Sequence, residues 1–551
     1  MSPDDDPNTA NPTPSDDNAA RGETAPADAT QPGMRRWPAI AILVLAAVSI
    51  SLLQFTPGEQ FPDQFRNFLT IVVSAAAIVG LLVWLALFSR LGARRRAFGI
   101  RAALAILVIP LALVRSVEFT LDLVPSFTFR WDPDPLDILE AHRLQASKAP
   151  TPDVPTEDLN ADFPAFRGAD RSGVYHGAAI RTNWDDEPPK TVWRQPVGEG
   201  YAQIVLSGNL AITIEQRGDK EAIVAYDART GRERWVYDYP TRFSEAMGGD
   251  GPRATPTLVD DRVYALGANG HLTCLDVETG EKIWQTNILA DPEANNLEWG
   301  MAGSPLVLDD LVIVNPGAPH SAAGKALVAY DRKTGELVWG VGDSAAAYAS
   351  PVYAEIAGVP QILTLEASGA AGYAADGSGE LWRYPWETQS GINCSQPQPA
   401  GNDRVLITAG YVMGSTMLQI NDDPEKGWSA EPLWEERSLR GKFCTPIITE
   451  GAIFGLDEGV LVCIDPETGK RLWKRGRYGH GQLLLAGDVL FIQAEDGDVA
   501  VVAADPDEYR ELARVAVFDG RTWNTPALAA GRAFLRNHRE MACLDLRADA
   551  E

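Results

Sequence analysis

A pattern of alternating apolar residues, an Asp, a Thr-Gly pair and a Trp recurs along the chain from residue 192 to residue 547. Clear copies end at Trp235, Trp284, Trp339 and Trp473, and a shorter copy ends at Trp382. Weaker copies near residues 420, 505 and 545 raise the number to eight, at intervals of about 40 to 55 residues. A repeat of this period indicates a solenoid, a propeller or another array of small structural units.

Each copy predicts four short strands. A strand that often begins with Pro, such as "TPTLVD" (255–260), comes first, and a second strand follows a short turn. The third strand alternates apolar and polar residues, and the fourth carries the Trp. Four strands of period two in each repeat are typical of a propeller blade. The sequence therefore predicts an all-β fold, an eight-bladed β-propeller of four-stranded antiparallel blades, over residues 190–547.

Three residue types of the repeat have predicted structural roles. Asp opens the turn between strands three and four, Gly takes a positive φ there, and Trp fills the wedge between neighbouring blades. The strand around Trp193 precedes the first blade, and we expect it to complete the last one, which leaves no open sheet edge. The docking residues are Asp227, Gly231, Trp235, Asp276, Gly280, Trp284, Asp331, Gly335, Trp339, Trp382, Asp465, Gly469, Trp473 and Trp193.

Three apolar segments precede the propeller and predict transmembrane helices at about residues 37–55, 68–88 and 99–117. The third has a short apolar run between Arg101 and Arg115, so it spans only if those side chains reach the interfaces. Residues 1–33 predict a disordered, acidic, Pro-rich tail, and residues 34–121 a membrane anchor. Residues 122–189 predict a juxtamembrane linker and lead-in.

Arginines in the short loops predict the orientation of the anchor. Arg35 and Arg36 precede the first helix, and five arginines (90, 94, 95, 96 and 101) follow the second. Because positive loops stay in the cytoplasm, three spans predict a cytoplasmic N-terminus and a periplasmic propeller in a bacterial inner membrane. With only two spans, the propeller would remain in the cytoplasm.

The repeat resembles the tryptophan-docking motif of pyrroloquinoline-quinone (PQQ) propellers. Residues 225–235 and 329–339 match that motif fully, and two other copies have Cys in place of Ala. The family contains quinoprotein dehydrogenases and also propellers that bind no quinone, such as those of the outer-membrane barrel-assembly (BamB) type. The segment "FPAFRGADRSGV" (163–174) further resembles membrane-anchored PQQ-repeat proteins of planctomycete-type bacteria.

The resemblance implies PQQ and Ca²⁺ only for the dehydrogenase branch of the family. Quinoprotein alcohol dehydrogenases hold PQQ against a ring of two adjacent cysteines, whereas the five cysteines here stand singly. Membrane-bound sugar dehydrogenases also lack that ring, so an enzyme stays an alternative. No position can be matched with a Ca²⁺ ligand or a catalytic base, and the sequence predicts no catalytic residue and no metal site.

The loops at one end of the propeller predict a binding face. In this topology the loops before each first strand, and those between strands two and three, open around the axis. Side chains there that suit an anionic or aromatic ligand, or a peptide, are Glu215, Arg217, Arg253, Trp299, Lys442, His480 and Trp523. Glu215 and Arg217 could equally pair with one another.

The formal net charge of −27 argues against a nucleic-acid partner, because phosphate binding needs clustered Lys and Arg. The favoured hypothesis is a membrane-anchored, extracytoplasmic binding or scaffold protein, with a role in envelope or outer-membrane protein assembly. Its partner would be a protein or small ligand on the loop face. The alternatives are a membrane-bound PQQ-dependent dehydrogenase and a transmembrane sensor.

Overall fold

A computed structural model describes residues 34–55, 63–119, 123–149, 158–184, 187–290, 294–318 and 325–547. The predicted N-terminal tail, residues 1–33, lies outside this range. The chain divides into two units, residues 1–115 with 122–124, and residues 116–121 with 125–551. The first contains the apolar helices and the second contains the propeller.

The first unit contains three helices that are long and apolar enough to cross a membrane. Helix α1 is Trp37–Phe55, α2 is Asp63–Val83 followed by a π-helical turn Trp84–Phe88, and α3 is Ala93–Leu113. The third helix thus begins and ends earlier than the predicted 99–117. It includes the arginine-rich turn, whose long side chains can extend away from the apolar stretch, and Val114 is already extended.

A two-stranded sheet and a helix follow α3 along the chain. Strands Val114–Phe119 and Pro125–Phe129 form a two-stranded sheet. Helix α4, Pro135–Lys148, follows, and the Asp134 carboxylate caps it by accepting the Leu136 N–H at 3.0 Å. Arg143 of α4 binds the Glu233 carboxylate with two hydrogen bonds of 2.9 and 3.1 Å, which fixes the helix to the first blade.

The described residues form eight antiparallel blades, which confirms the predicted fold. From the axis outward, the strands of blades 1 to 4 are Val205–Gly208, Leu210–Arg217, Lys220–Asp227 and Glu233–Pro240; Thr257–Val259, Arg262–Leu266, His271–Asp276 and Lys282–Asn287; Leu306–Leu308, Leu311–Val314, Leu327–Asp331 and Leu337–Val341; Val352–Ile356, Val359–Leu365, Gly369–Ala374 and Glu380–Pro385.

The remaining blades have the same order, but the last one takes its outer strand from upstream. The strands of blades 5 to 8 are Gln398–Pro399, Arg404–Ala409, Gly414–Asp423 and Gly427–Glu436; Ile447–Ile448, Ile453–Asp457, Val460–Ile464 and Arg471–Arg477; Gln482–Ala486, Val489–Gln493, Asp498–Ala503 and Glu511–Ala516; Ala527–Ala529, Arg532–Arg536, Glu540–Asp545 and Lys190–Pro196. Trp193 pairs with Cys543, so the ring closes as the sequence predicts.

Tryptophans join neighbouring blades at the perimeter. The Trp284 indole N–H donates to the Arg332 carbonyl of the next blade at 3.0 Å. Gly335 of that blade has φ +75°, and a Cβ added there would lie 2.7 Å from the Trp284 ring. Trp193, Trp235, Trp434 and Trp473 donate to the following blade in the same way. Gly at this turn therefore permits both the left-handed backbone and the close approach of the indole.

The lead-in segment enters the axis of the propeller, which its interpretation as a linker does not anticipate. Strand Ala161–Phe163 pairs with the inner strand of blade 1, and Val174–Tyr175 pairs in parallel with the inner strand of blade 7. Between them, the buried Arg167 and Arg171 donate to backbone carbonyls of several blades, including the Pro351 carbonyl at 2.8 Å. We call residues 161–175 the axial plug.

Candidate functional site

The starts of the inner strands are tied together around the axis by side-chain oxygens. The Thr255 hydroxyl accepts the Gln203 N–H of blade 1 at 3.0 Å, and the Ser304 hydroxyl accepts the Thr255 N–H at 2.9 Å. Ser350 receives the Ser304 N–H, and Thr445 receives the Gln396 N–H, in the same way. These bonds fix the loop that precedes each inner strand in a common position.

One residue in each loop lies two positions before the residue that forms these bonds in blades 1 to 6, or before its counterparts Gln482 and Thr525 in blades 7 and 8, and these residues occupy equivalent positions around the axis. From blade 1 to blade 8 these residues are Tyr201, Arg253, Ala302, Tyr348, Cys394, Phe443, His480 and Trp523. Trp299, Tyr411 and Lys442 come from the same loop end. We call all of these residues except Ala302 the axial belt.

Ring contacts connect neighbouring members of the axial belt. The Trp523 ring lies 5.2 Å from that of Tyr201 and 5.5 Å from that of Phe443. Phe443 and His480 are 5.8 Å apart, and the Arg253 guanidinium lies 5.5 Å from the Tyr201 ring centre. On the opposite side, Trp299 lies 5.9 Å from Tyr348. Seven members are half-buried and the other three are nearly covered, so the belt is a partly exposed aromatic and cationic surface.

Lys442 is a cation of the belt whose side chain is largely covered. It is 8% exposed, and its Nζ lies 5.2 Å from the centre of the Tyr411 ring. Throughout the described ranges, no side-chain or backbone oxygen forms a hydrogen bond or an ion pair with this ammonium. Burial raises the pKa of the neighbouring Cys394 thiol to about 12, and the Lys442 charge only partly offsets that shift.

Four arginines with largely covered guanidinium groups lie around the axis, although the chain as a whole is strongly acidic. Burial lowers the pKa of Arg171 to about 9 and that of Arg167 to about 10. Burial also lowers the pKa values of Arg253 and Arg536. All four side chains hydrogen-bond to carbonyl groups, and carboxylates near Arg167, Arg253 and Arg536 partly offset the effect of burial on their pKa values.

Five of the seven predicted site residues lie in the axial belt: Arg253, Trp299, Lys442, His480 and Trp523. Glu215 and Arg217 do not. The Glu215 carboxylate is completely buried and accepts from Arg217 Nε at 2.5 Å. Arg217 also binds Glu233 of the outer strand, so this pair belongs to the framework of blade 1.

Sequence reasoning missed Tyr201, Tyr348, Cys394, Tyr411 and Phe443. Four of the five could have been found by counting four residues back from the first residue of each inner strand. Tyr411 lies in the turn between strands two and three of blade 5, where Tyr411 and Val412 both have positive φ values. In the sequence, neither the length nor the composition of this turn distinguishes it from a turn that only faces solvent.

The carboxylates near the belt are engaged with their neighbours. Glu495 accepts the Trp523 indole N–H and the His480 backbone N–H, each at 2.9 Å. Across the part of the chain with described coordinates, no group of three or more His, Cys, Asp or Glu side chains is arranged to hold a metal ion. The belt combines aromatic rings with the cations Arg253 and Lys442.

Comparison with known proteins gives two kinds of similarity. The family model PQQ_2, described as outer membrane protein assembly factor BamB, matches residues 145–302, 295–475 and 421–512. The outer membrane protein assembly factor BamB of Burkholderia pseudomallei (strain K96243) is 24% identical over 351 residues, covering 52% of this chain and 85% of that protein.

The second similarity is to quinohemoprotein alcohol dehydrogenases. ADH IIB of Pseudomonas putida is 32% identical over 143 residues, which are 24% of this chain and 20% of that enzyme. The chain spans only 18–26% of the length of the first three such relatives.

A crystal structure of BamB from Moraxella catarrhalis is 18% identical, with a TM-score of 0.35 over 64% of this chain and 85% of that one.

Proposed function

The chain belongs to the PQQ_2 family, and from that membership we propose that it is a membrane-anchored binding protein that holds a partner polypeptide on its axial belt. One relative, of which the chain covers 85%, is an outer membrane protein assembly factor, which supports a role in envelope or outer-membrane protein assembly. The arginine distribution around α1 to α3 supports an inner-membrane anchor with the propeller in the periplasm.

The observation that carries this proposal is the register of the axial belt. The fold presents one residue from each blade at the same level, and most of these positions hold an aromatic or cationic side chain. Trp, Tyr and Arg are the residues that dominate binding energy in protein interfaces. The belt rings contact one another and stay partly accessible to solvent, so they offer a partner an aromatic surface at the end of the axis.

The test is a quantitative co-purification from cross-linked cells that express the full chain. Trp299→Ala and Arg253→Ala remove belt side chains, and each is expected to reduce the recovered partner by about tenfold, as loss of an interface hot spot does. Val338→Ala, on the exposed outer strand of blade 3, is the matched control. Equal recovery from all three variants would contradict the proposal.

A PQQ-dependent dehydrogenase is the second candidate, favoured by the enclosed Lys442 and the aromatic rings around it. These groups fit a planar ring that carries carboxylates, but the described residues supply no cluster for the Ca²⁺ that accompanies PQQ in this family. Titration of the detergent-purified chain with PQQ, with and without Ca²⁺, separates the candidates. Tight binding with PQQ-dependent dye reduction would favour the enzyme, and no binding would exclude it.

A further inference from the structure

Two neighbouring blades differ from the rest in the charge of their outer strands. The outer strand of blade 5, Gly427–Glu436, contains three Glu and no Lys or Arg. The outer strand of blade 6, Arg471–Arg477, contains three Arg and one Lys and no Asp or Glu. None of the other six outer strands has more than two charges of one sign. The chain therefore places its most acidic and its most basic perimeter strand side by side.

Most of these charges are not neutralised within the chain. Lys474 is the exception, since its ammonium lies 2.5 Å from the Asp457 carboxylate. The exposed charges of the two strands that form no ion pair with any residue the structure describes are Glu431, Glu435, Arg471, Arg475 and Arg477. These groups remain available to a charged surface outside the chain.

An exposed leucine stands at the same position of each strand. Leu433 is 48% exposed and Leu472 is 46% exposed. Each directly precedes the docking tryptophan, Trp434 or Trp473, whose indole N–H donates to a carbonyl of the next blade. Protein interfaces combine an apolar centre with a polar rim. Each strand therefore offers an apolar contact that is flanked by charges of one sign.

The arrangement of the two strands suits a second copy of this chain. Two copies with a formal net charge of −27 repel each other unless opposite charges face each other locally. Because blades 5 and 6 are neighbours, a two-fold axis between their outer strands, parallel to the propeller axis, would set blade 5 of one copy against blade 6 of the other. A two-fold interface uses the same patch on both copies, so this contact would occur twice.

We propose that the outer strands of blades 5 and 6 form the contact between two copies of this chain. The carboxylates of blade 5 in one copy would face the guanidinium groups of blade 6 in the other, and the exposed leucines would lie between them. Complementary charges of this kind fix the register of an interface and exclude arrangements in which like charges meet. The contact lies at the perimeter and does not use the axial belt, so this inference is independent of the proposed function.

The test uses full chains that carry two different affinity tags and are expressed together. Arg471→Glu with Arg475→Glu reverses blade 6 and makes both strands acidic, and Glu431→Lys with Glu435→Lys reverses blade 5 and makes both strands basic. Each variant, paired with itself, should reduce recovery of the second tag by about tenfold, because like charges then meet at both contacts. The two variants expressed together should restore recovery, because each acidic strand then meets a basic strand.

A matched control changes the same net charge elsewhere on the perimeter. Lys190→Glu with Lys282→Glu replaces cations on the outer strands of blades 8 and 2, and should leave recovery unchanged. Raising the salt concentration should lower recovery of the unchanged chain, because exposed charges are screened. Restored recovery from the mixed variants also shows that both variants fold.

Recovery that is unaffected by reversal of blade 6 would show that the copies associate elsewhere, for instance through the apolar helices, and would overturn this inference. Unchanged chains that do not recover each other, or mixed variants that associate no better than either variant with itself, would overturn it too. Loss of a different protein from the variant with blade 6 reversed, without association of unchanged copies, would assign the basic strand to an acidic partner instead. A cross-link through this contact has twice the mass of the chain, which distinguishes it from an adduct with another protein at the belt.

Discussion

The perimeter and the axis of the propeller are built from the same repeats but differ in how closely the copies agree. At the perimeter most copies repeat Asp, Gly and Trp, and most of the indoles contact the turn of the next blade, as Trp284 contacts Gly335, whereas Trp382 donates to Gln361 of its own blade. At the axis the equivalent position is Tyr, Arg, Ala, Cys, Phe, His or Trp. Repetition at the perimeter serves assembly of the ring, and variety at the axis leaves that position free to bind a ligand.

The largest expected effect is a loss of stability that distinguishes the two regions when one tryptophan is replaced in each. Trp284→Ala removes a nearly covered indole and its hydrogen bond to Arg332, and should lower the free energy of unfolding by about 3–5 kcal/mol. Trp299→Ala, in the half-buried belt, should cost less than about 1 kcal/mol. Denaturant unfolding monitored by circular dichroism measures both. Similar losses would show that the belt is also structural.

The axial plug should be the structural part of the axis. Arg171→Met leaves the carbonyls of Ser304, Pro305 and Pro351 without their donor, and should cost about 3 kcal/mol. The same denaturant titration measures the loss. Arg253→Met, within the belt, is the control. It should lower the free energy of unfolding by less, and it should also reduce the amount of partner that co-purifies. An Arg171 variant as stable as the unchanged protein would show that the plug does not brace the blades.

A glycine pair separates backbone strain from contact at the perimeter. Gly335 and Gly427 have φ values of +75° and +79°, but only at Gly335 would a Cβ meet an indole, at 2.7 Å. Gly427→Ala should cost about 1 kcal/mol from its backbone alone, and Gly335→Ala about 1–2 kcal/mol more because Trp284 must move. Thermal unfolding of the two variants checks the difference, and equal shifts would contradict indole docking.

The smallest effect is a pH dependence at the perimeter turns. The Thr279 backbone N–H and hydroxyl lower the pKa of Asp276, and the Thr334 backbone N–H lowers that of Asp331. Because the folded pKa is below the ordinary value of 3.8, the stabilisation is present above that value and lost as pH falls through the folded pKa. In the double variant Asp276→Asn, Asp331→Asn, the unfolding temperature should fall less steeply at acidic pH than in the unchanged protein. An equal fall in both proteins would show that other carboxylates cause the loss of stability in acid.

The sequence predicted the perimeter well because its signals are local and periodic. The spacing of Asp, Gly and Trp indicated eight blades, and the isolated strand at Trp193 indicated the closure. The axial plug has no such signal, since its strands are two and three residues long and Arg171 contacts a carbonyl 180 residues away. The belt was found in part, because loop composition suggested Trp299 and Lys442 but the common register was not used.

The most direct test of the account is a scan with a photo-cross-linking amino acid on the full chain in cells. The belt positions 299, 348 and 443 would each be compared with the exposed perimeter positions 283, 338 and 433. The account predicts one partner adduct, of constant mass, from the three belt positions and from none of the perimeter positions. The same adduct from the perimeter positions, or none from the belt, would contradict the assignment of binding to the axis.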